Sequence, residues 1–137
     1  MSAPERHPTP RCSILVIDDE VDMVEMIAFG LTSFGYEVDT ATDGRIAIEM
    51  ARRKSYDIAI SDLRMPVFDG IMMLLALKDC APTVDVVIVT AYATEEVLAE
   101  CMRNGAAHCM SKPFTAEELA AVIQSLVARR TAGEGTV

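Results

Sequence analysis

The sequence predicts an α/β fold: an open, doubly wound sheet of five parallel strands with helices on both faces. Two observations carry this. Short apolar runs and longer stretches with helical apolar spacing alternate five times along the 137 residues, and strict alternation of strand and helix with right-handed crossovers leaves few other arrangements. Each apolar run also stops abruptly at a polar residue, so that polar side chains collect along one edge of the sheet, where such folds bind their ligands.

Ser13 to Ile17 is an apolar run halted by Asp18, Asp19 and Glu20, and it reads as the first strand. Val21, Val24, Ile27, Ala28 and Leu31 recur at helical spacing up to Gly35, a residue suited to a left-handed helix end. Tyr36 to Ala41 alternates loosely around Val38, the pattern of a shorter strand near the sheet edge. Asp43 then caps a helix through about Arg53, since a short carboxylate can accept from the orphan N–H groups of a first turn. The third strand lies within Tyr56 to Gly70: Ile58, Ala59 and Ile60 run into Ser61 and Asp62, and Pro66 and Gly70 force a turn. A strand covered on both faces has no place for an unpaired charge, so Asp62 is expected just past the strand, at the rim.

Asp69 and Gly70 introduce an apolar helix through about Asp79, and after the break at Pro82 the run Val86 to Val89 gives a fourth strand that stops at Thr90. Thr94 caps a short helix carrying Val97, Leu98, Cys101 and Met102, which ends at Asn104-Gly105. The fifth strand, about Ala107 to Ser111, runs into Lys112-Pro113. Thr115 followed by Glu118 is a capping box for a last helix whose stripe is Leu119, Val122, Ile123, Leu126 and Val127. Residues 1–11 read as a disordered tail, 12–128 as one domain, and 129–137 as a tail or the start of a linker.

Composition narrows the function. With 51% hydrophobic and 24% charged residues, the chain suits one core and is too short for two. A formal net charge of -9 argues against direct contact with nucleic acid, whose phosphates attract clustered Lys and Arg. No apolar run approaches the length of about 20 needed to span a bilayer, and a cytoplasmic location is expected. Cys12, Cys80, Cys101 and Cys109 show neither a CxxC pair nor a His at metal spacing and are expected as free, buried thiols. Cys101 and Cys109 are the two that the fold can bring close, although a disulfide is unusual in a reducing compartment.

The ends of the predicted strands carry the chemistry. Asp18 and Asp19 follow the first strand, Asp62 the third, Thr90 the fourth and Lys112 the fifth. Each has an ordinary reading as a cap, a turn residue or a solvated charge. Together, three neighbouring carboxylates repel unless a cation lies between them. Oxygen ligands with a lysine nearby suit Mg²⁺, which takes one or two carboxylates together with phosphate oxygens.

These residues resemble the receiver domain of two-component response regulators over about Cys12 to Ala128. The family pattern is present as Asp18-Asp19, Asp62, Met65-Pro66, Asp69-Gly70, Thr90-Ala91 and Lys112-Pro113-Phe114. The resemblance implies a flavodoxin-like (βα)5 fold with strand order 2-1-3-4-5, an order carried over with the family. It also implies a signalling domain rather than an enzyme. Asp62 would accept a phosphoryl group from a sensor histidine kinase or phosphotransfer protein. Asp19, Asp62 and the Arg64 backbone carbonyl would hold Mg²⁺, with Asp18 supporting through water, while Lys112 and Thr90 would act on the acyl phosphate. Output would pass through the face made by the fourth helix, fifth strand and fifth helix, to a second copy or an output domain.

One position departs from the pattern. The family usually has Tyr or Phe three residues before the lysine, and here that residue is Cys109, which leaves the aromatic part of the switch open. Tyr92 and Arg64 stand where the family flanks access to the phosphoryl group. A metal-dependent phosphohydrolase would place its nucleophile in an Asp-x-Asp after the first strand, whereas here the acidic pair is adjacent. A receiver kept only for docking would lack a site residue, and none is missing.

Overall fold

Alternation along each strand decides which helix covers which face of the sheet. The computed structural model describes residues 12–63 and 70–135, with side chains to residue 130. The elements are β1 (Ser13–Ile17), α1 (Val21–Ser33), β2 (Glu37–Ala41), α2 (Gly44–Arg53), β3 (Ile58–Asp62), α3 (Gly70–Cys80), β4 (Asp85–Thr90), α4 (Glu95–Arg103), β5 (His108–Ser111) and α5 (Ala116–Gly135). The strands are parallel in the order β2-β1-β3-β4-β5. Ile14, Val16, Ile58, Ile60, Val87 and Val89 point to one face and pack with Val24, Ile27 and Leu31 of α1 and Leu119, Ile123 and Leu126 of α5. The alternate residues Leu15, Ile17, Ala59, Val86 and Ile88 point the other way, onto Ala47 and Ala51 of α2, Met73, Leu74 and Leu77 of α3, and Cys101 of α4. Burial of each large apolar side chain contributes about 1.5–3 kcal/mol, and a two-sided sheet collects this on both faces.

Local signals place the helix ends. Asp43 accepts from Arg45 N at 2.7 Å, Thr94 Oγ1 accepts from Val97 N at 3.1 Å, and Thr115 and Glu118 exchange bonds of 2.8 and 3.0 Å in a reciprocal box. Gly35 takes φ +94° after α1, a region where side chains are strained. Gly70 starts α3 with its N–H 2.7 Å from Leu63 O, and any Cβ there would collide with the Leu63 backbone.

Two expectations change. Asp62 is the last residue of β3 rather than lying past it, paired in register with Val89. The strand tolerates the charge because Lys112 comes within 3.3 Å. The last helix, expected to end near Ala128 with a tail from Arg129, runs instead to Gly135. Arg130 accounts for the extension. Its Nη1 donates to Asp57 O (3.2 Å), Thr83 O (2.9 Å) and Asp85 Oδ2 (3.1 Å), pinning the helix across the amino ends of β3 and β4. The expected features at 1–11, Arg64, Met65-Pro66 and Asp69 lie outside the described residues.

The β2 edge is held by a small polar cluster. Asp39 accepts from the Tyr56 hydroxyl (2.7 Å) and from Lys54 (3.0 Å), and these bonds, Tyr56's first, hold its carboxyl below the ordinary 3.8. A depressed carboxyl contributes stability above its unfolded pKa and loses it as pH falls through the folded value. Because Asp39 is more than a third exposed, Asp39→Asn should cost only about 0.5 kcal/mol at neutral pH. That gap should close as pH falls below the ordinary carboxylate range, as read from urea midpoints across pH.

Candidate functional site

The ladder itself brings the polar residues into one row. Ile17 pairs with Ser61, which sets Asp18 beside Asp62. Asp62 pairs with Val89 and Thr90 with Ser111, so Thr90 and Lys112 follow along the same carboxyl edge. Asp18 is 1% exposed, Asp62 8% and Thr90 0%, whereas Asp19 faces solvent. One carboxylate oxygen from each of Asp18, Asp19 and Asp62 lies within 4.8 Å of the others, the one such convergence of acidic, His or Cys groups among the described residues.

Lys112 Nζ sits 3.3 Å from Asp18 Oδ2 and 3.3 Å from Asp62 Oδ2. Burial alone pulls its ammonium down, but Asp62 and then Asp18 more than offset this, so its pKa is raised overall. The second oxygen of Asp18 accepts from Glu20 N at 3.0 Å, which fixes the carboxylate while serving the start of α1. Three carboxylates against one ammonium leave a net charge of -2 in a partly dry edge. At an effective dielectric of 20, each carboxylate pair 4.8 Å apart repels by roughly 3–4 kcal/mol. An all-oxygen donor set with that deficit fits a hard divalent cation such as Mg²⁺ and does not fit a thiolate- or imidazole-seeking metal.

Thr90 is held at both ends. Its carbonyl accepts from Lys112 N at 2.8 Å, and its hydroxyl accepts from Tyr92 N at 3.0 Å. The sequence placed Thr90 at the edge, but nothing in it showed that the hydroxyl already holds the next loop. Tyr92, within that loop, is 56% exposed. Asp18, Asp19, Asp62, Thr90 and Lys112 are thus brought together. The Arg64 carbonyl, the remaining expected ligand, lies outside the described residues.

Cys109 and Cys101 do meet, as reduced thiols. Burial, and then a hydrogen bond to Cys101, push the Cys109 thiol up to about 12. Cys101 belongs to α4 and is fully buried, so the residue at the usual aromatic position is turned against α4.

Comparison with known proteins gives a consistent set. The profile of the response regulator receiver domain matches residues 14–124. The chain is 34% identical over 115 residues to the transcriptional regulatory protein ZraR of Escherichia coli (strain K12), covering 84% of this chain and 26% of that protein. It is 37% identical over 106 residues to the sensor histidine kinase RcsC of Salmonella typhi, covering 77% of this chain and 11% of RcsC. The chain therefore spans about a quarter or less of the length of these relatives. Among solved structures, the chemotaxis protein CheY4 of Vibrio cholerae superposes with a TM-score of 0.81 at 30% identity, covering 85% of this chain and 99% of CheY4. A response regulator receiver domain protein from Clostridium thermocellum gives 0.80 at 32% identity, covering 88% and 98%.

Proposed function

The chain is a member of the response regulator receiver family, and on that premise we propose that it carries signal as a phosphoryl group on Asp62. The observation that carries the reading is the convergence of Asp18, Asp19, Asp62, Thr90 and Lys112 on one edge from four strand ends. Asp62 is positioned as the nucleophile. One of its carboxylate oxygens attacks the phosphorus of a phosphohistidine, the P–O bond forms as the P–N bond breaks, and the imidazole nitrogen leaves with the electron pair. The donor would be a sensor histidine kinase or a phosphotransfer protein.

Lys112 lies 3.3 Å from the attacking carboxylate and presents positive charge where the incoming oxygens would otherwise be repelled. Mg²⁺ would be held by Asp19, Asp62 and the Arg64 carbonyl, with Asp18 supporting through water, and when bound it supplies the charge that offsets the remaining deficit. Thr90, buried at the end of β4, would donate its hydroxyl to the acyl phosphate and move with it. The α4–β5–α5 face is the surface proposed to pass that movement to a second copy or to an output domain.

The experiment is direct. Incubation of the chain with acetyl phosphate and Mg²⁺ should add one phosphoryl group on the peptide containing Asp62. Chelation of the metal should nearly abolish uptake. Metal-independent uptake of the same extent, read by intact mass, would remove the role given to the acidic cluster.

A further inference from the structure

Helix α3 is apolar on every side. Residues 71–77 carry no polar side chain, and Lys78 is the first charge in the helix. A helix with one covered face normally sets polar residues on the other, as α2 does with Arg45, Glu49, Arg52 and Arg53. The core takes only Met73, Leu74 and Leu77 of α3, each at most 1% exposed, while Met72 stays 55% and Leu75 49% exposed. Those two lie three residues apart and share one outward face. An apolar pair left in water, on a helix that is apolar all round, marks a face built to be covered.

A groove runs beside that face, between α3 and α4. Leu63 closes its inner end, Ile71 and Met72 line it from α3, and Val97, Glu100 and Cys101 line it from α4. Its volume of about 430 Å³ falls within the range of roughly 300–1,000 Å³ usual for ligand sites. Cys101 is fully buried, so the hollow reaches down to the core. The rim on the α4 side is acidic. Glu96 and Glu100 stand one turn apart on one row of the helix, both exposed. Neither has an ion-pair partner among the described residues, and Arg103, the one basic residue of α4, pairs with neither. The groove thus offers two uncompensated carboxylates above an apolar floor.

A second copy fits this seat poorly. A two-fold contact sets one surface against itself, so Glu96 and Glu100 would face their own counterparts, in a chain whose net charge is already -9. A partner carrying Lys or Arg meets no such repulsion. A helix suits the seat better than a strand, because a hollow flanked by two helices receives the ridge of a third. The strands β3 and β4 are each paired on both sides and offer no free edge for a strand to join.

We propose that the α3–α4 groove is a docking seat for a cationic amphipathic helix of a partner protein. Bulky apolar side chains of that helix would fill the hollow and cover Met72 and Leu75, and its Lys or Arg residues would pair with Glu96 and Glu100. The seat is distinct from the α4–β5–α5 face, and it does not depend on the reading of Asp62.

The test uses the full chain and a synthetic, end-blocked peptide of about 14 residues, roughly four helical turns, with Leu at i, i+3, i+4 and i+7 spacing and Lys elsewhere. One control peptide has the same composition in an order that breaks the stripe, and a second carries Glu in place of Lys. Isothermal titration at low salt should show the striped Lys peptide binding at least about tenfold more tightly than either control. On binding, amide exchange at residues 71–76 and 96–101 should slow by more than about threefold, with a smaller change in α1 and α5. Met72→Gln combined with Leu75→Gln should weaken binding by about tenfold, and Glu96→Gln combined with Glu100→Gln by about threefold, the latter effect fading as salt is raised. All four side chains are exposed, so both double variants should keep the wild-type urea midpoint. Equal binding of the striped and scrambled Lys peptides would reduce the effect to attraction by an acidic chain and overturn the seat. So would slowing centred on α1 or on the α4–β5–α5 face, or an absence of saturable binding, and neither result needs a variant to fold. Self-association of the chain alone that Leu75→Gln abolishes would assign the face to a second copy and overturn it as well.

Discussion

Replacing Asp19 by alanine should weaken Mg²⁺ binding by at least about tenfold, while Thr90→Ala should leave it within about twofold of wild type. The contrast follows from the site's geometry. Asp19 contributes one of three carboxylate oxygens grouped within 4.8 Å, and it is the exposed member, without the lysine contact that Asp18 and Asp62 share. Removing it deletes a charged donor and halves the charge deficit that favours a divalent ion. Thr90 offers a neutral hydroxyl that is already accepting from Tyr92 N. It is buried at the end of β4, so its loss should act on the loop that its hydroxyl holds rather than on the cation. Isothermal titration of both variants separates the two roles, and equal affinity in Asp19→Ala and wild type would contradict the site.

Lys112→Ala should slow phosphoryl uptake from acetyl phosphate by roughly a hundredfold or more, the usual loss when a fixed donor to a reacting oxyanion is removed. It should also lower stability in metal-free buffer by roughly 3 kcal/mol, because two buried carboxylates lose their shared partner. Added Mg²⁺ should restore part of that stability, as the cation takes over the charge that Lys112 had offset. The sign of the pH dependence is fixed by the raised lysine pKa. Its contribution is fully present below the unfolded value of 10.5 and is lost as pH rises through the folded value, so the stability gap between wild type and variant should persist through neutral pH and close only in strong alkali. Denaturant titrations with and without Mg²⁺ report both effects. An unchanged uptake rate in Lys112→Ala would show that the ammonium does not face the reacting group.

The residues legible in the sequence were those whose position depends on a nearby break in pattern. Asp18, Asp62, Thr90 and Lys112 each close an apolar run or follow one directly, and a parallel sheet sends all such ends to one edge. The helix starts at Asp43, Thr94 and Thr115 were legible for the same reason, since a cap is decided within four residues. What escaped depended on partners far along the chain. Asp62 belongs to β3 itself because Lys112, distant in sequence, reaches it, and a strand pattern alone sees only an unpaired charge. The extension of α5 was hidden because Arg130 finds its acceptors at Asp57, Thr83 and Asp85, 73, 47 and 45 residues back along the chain. The engagement of the Thr90 hydroxyl by Tyr92 N is local, but a Thr-x-x sequence forms that bond only when the following turn has the right backbone. Cys101 and Cys109 were identified as possible neighbours, and the packing of α4 on β5 decided that they touch as thiols.

The central claim, that Asp62 is the phosphoryl acceptor, is tested most directly by intact mass and peptide mapping of wild type and Asp62→Asn after incubation with acetyl phosphate and Mg²⁺. Asparagine keeps the size and an acceptor oxygen but removes the nucleophilic carboxylate. The expected result is one added phosphoryl group in the wild type, mapped to Asp62, and none in the variant. Equal labelling of the two proteins, or a modification mapped to Asp18 or Asp19 in the wild type, would contradict it.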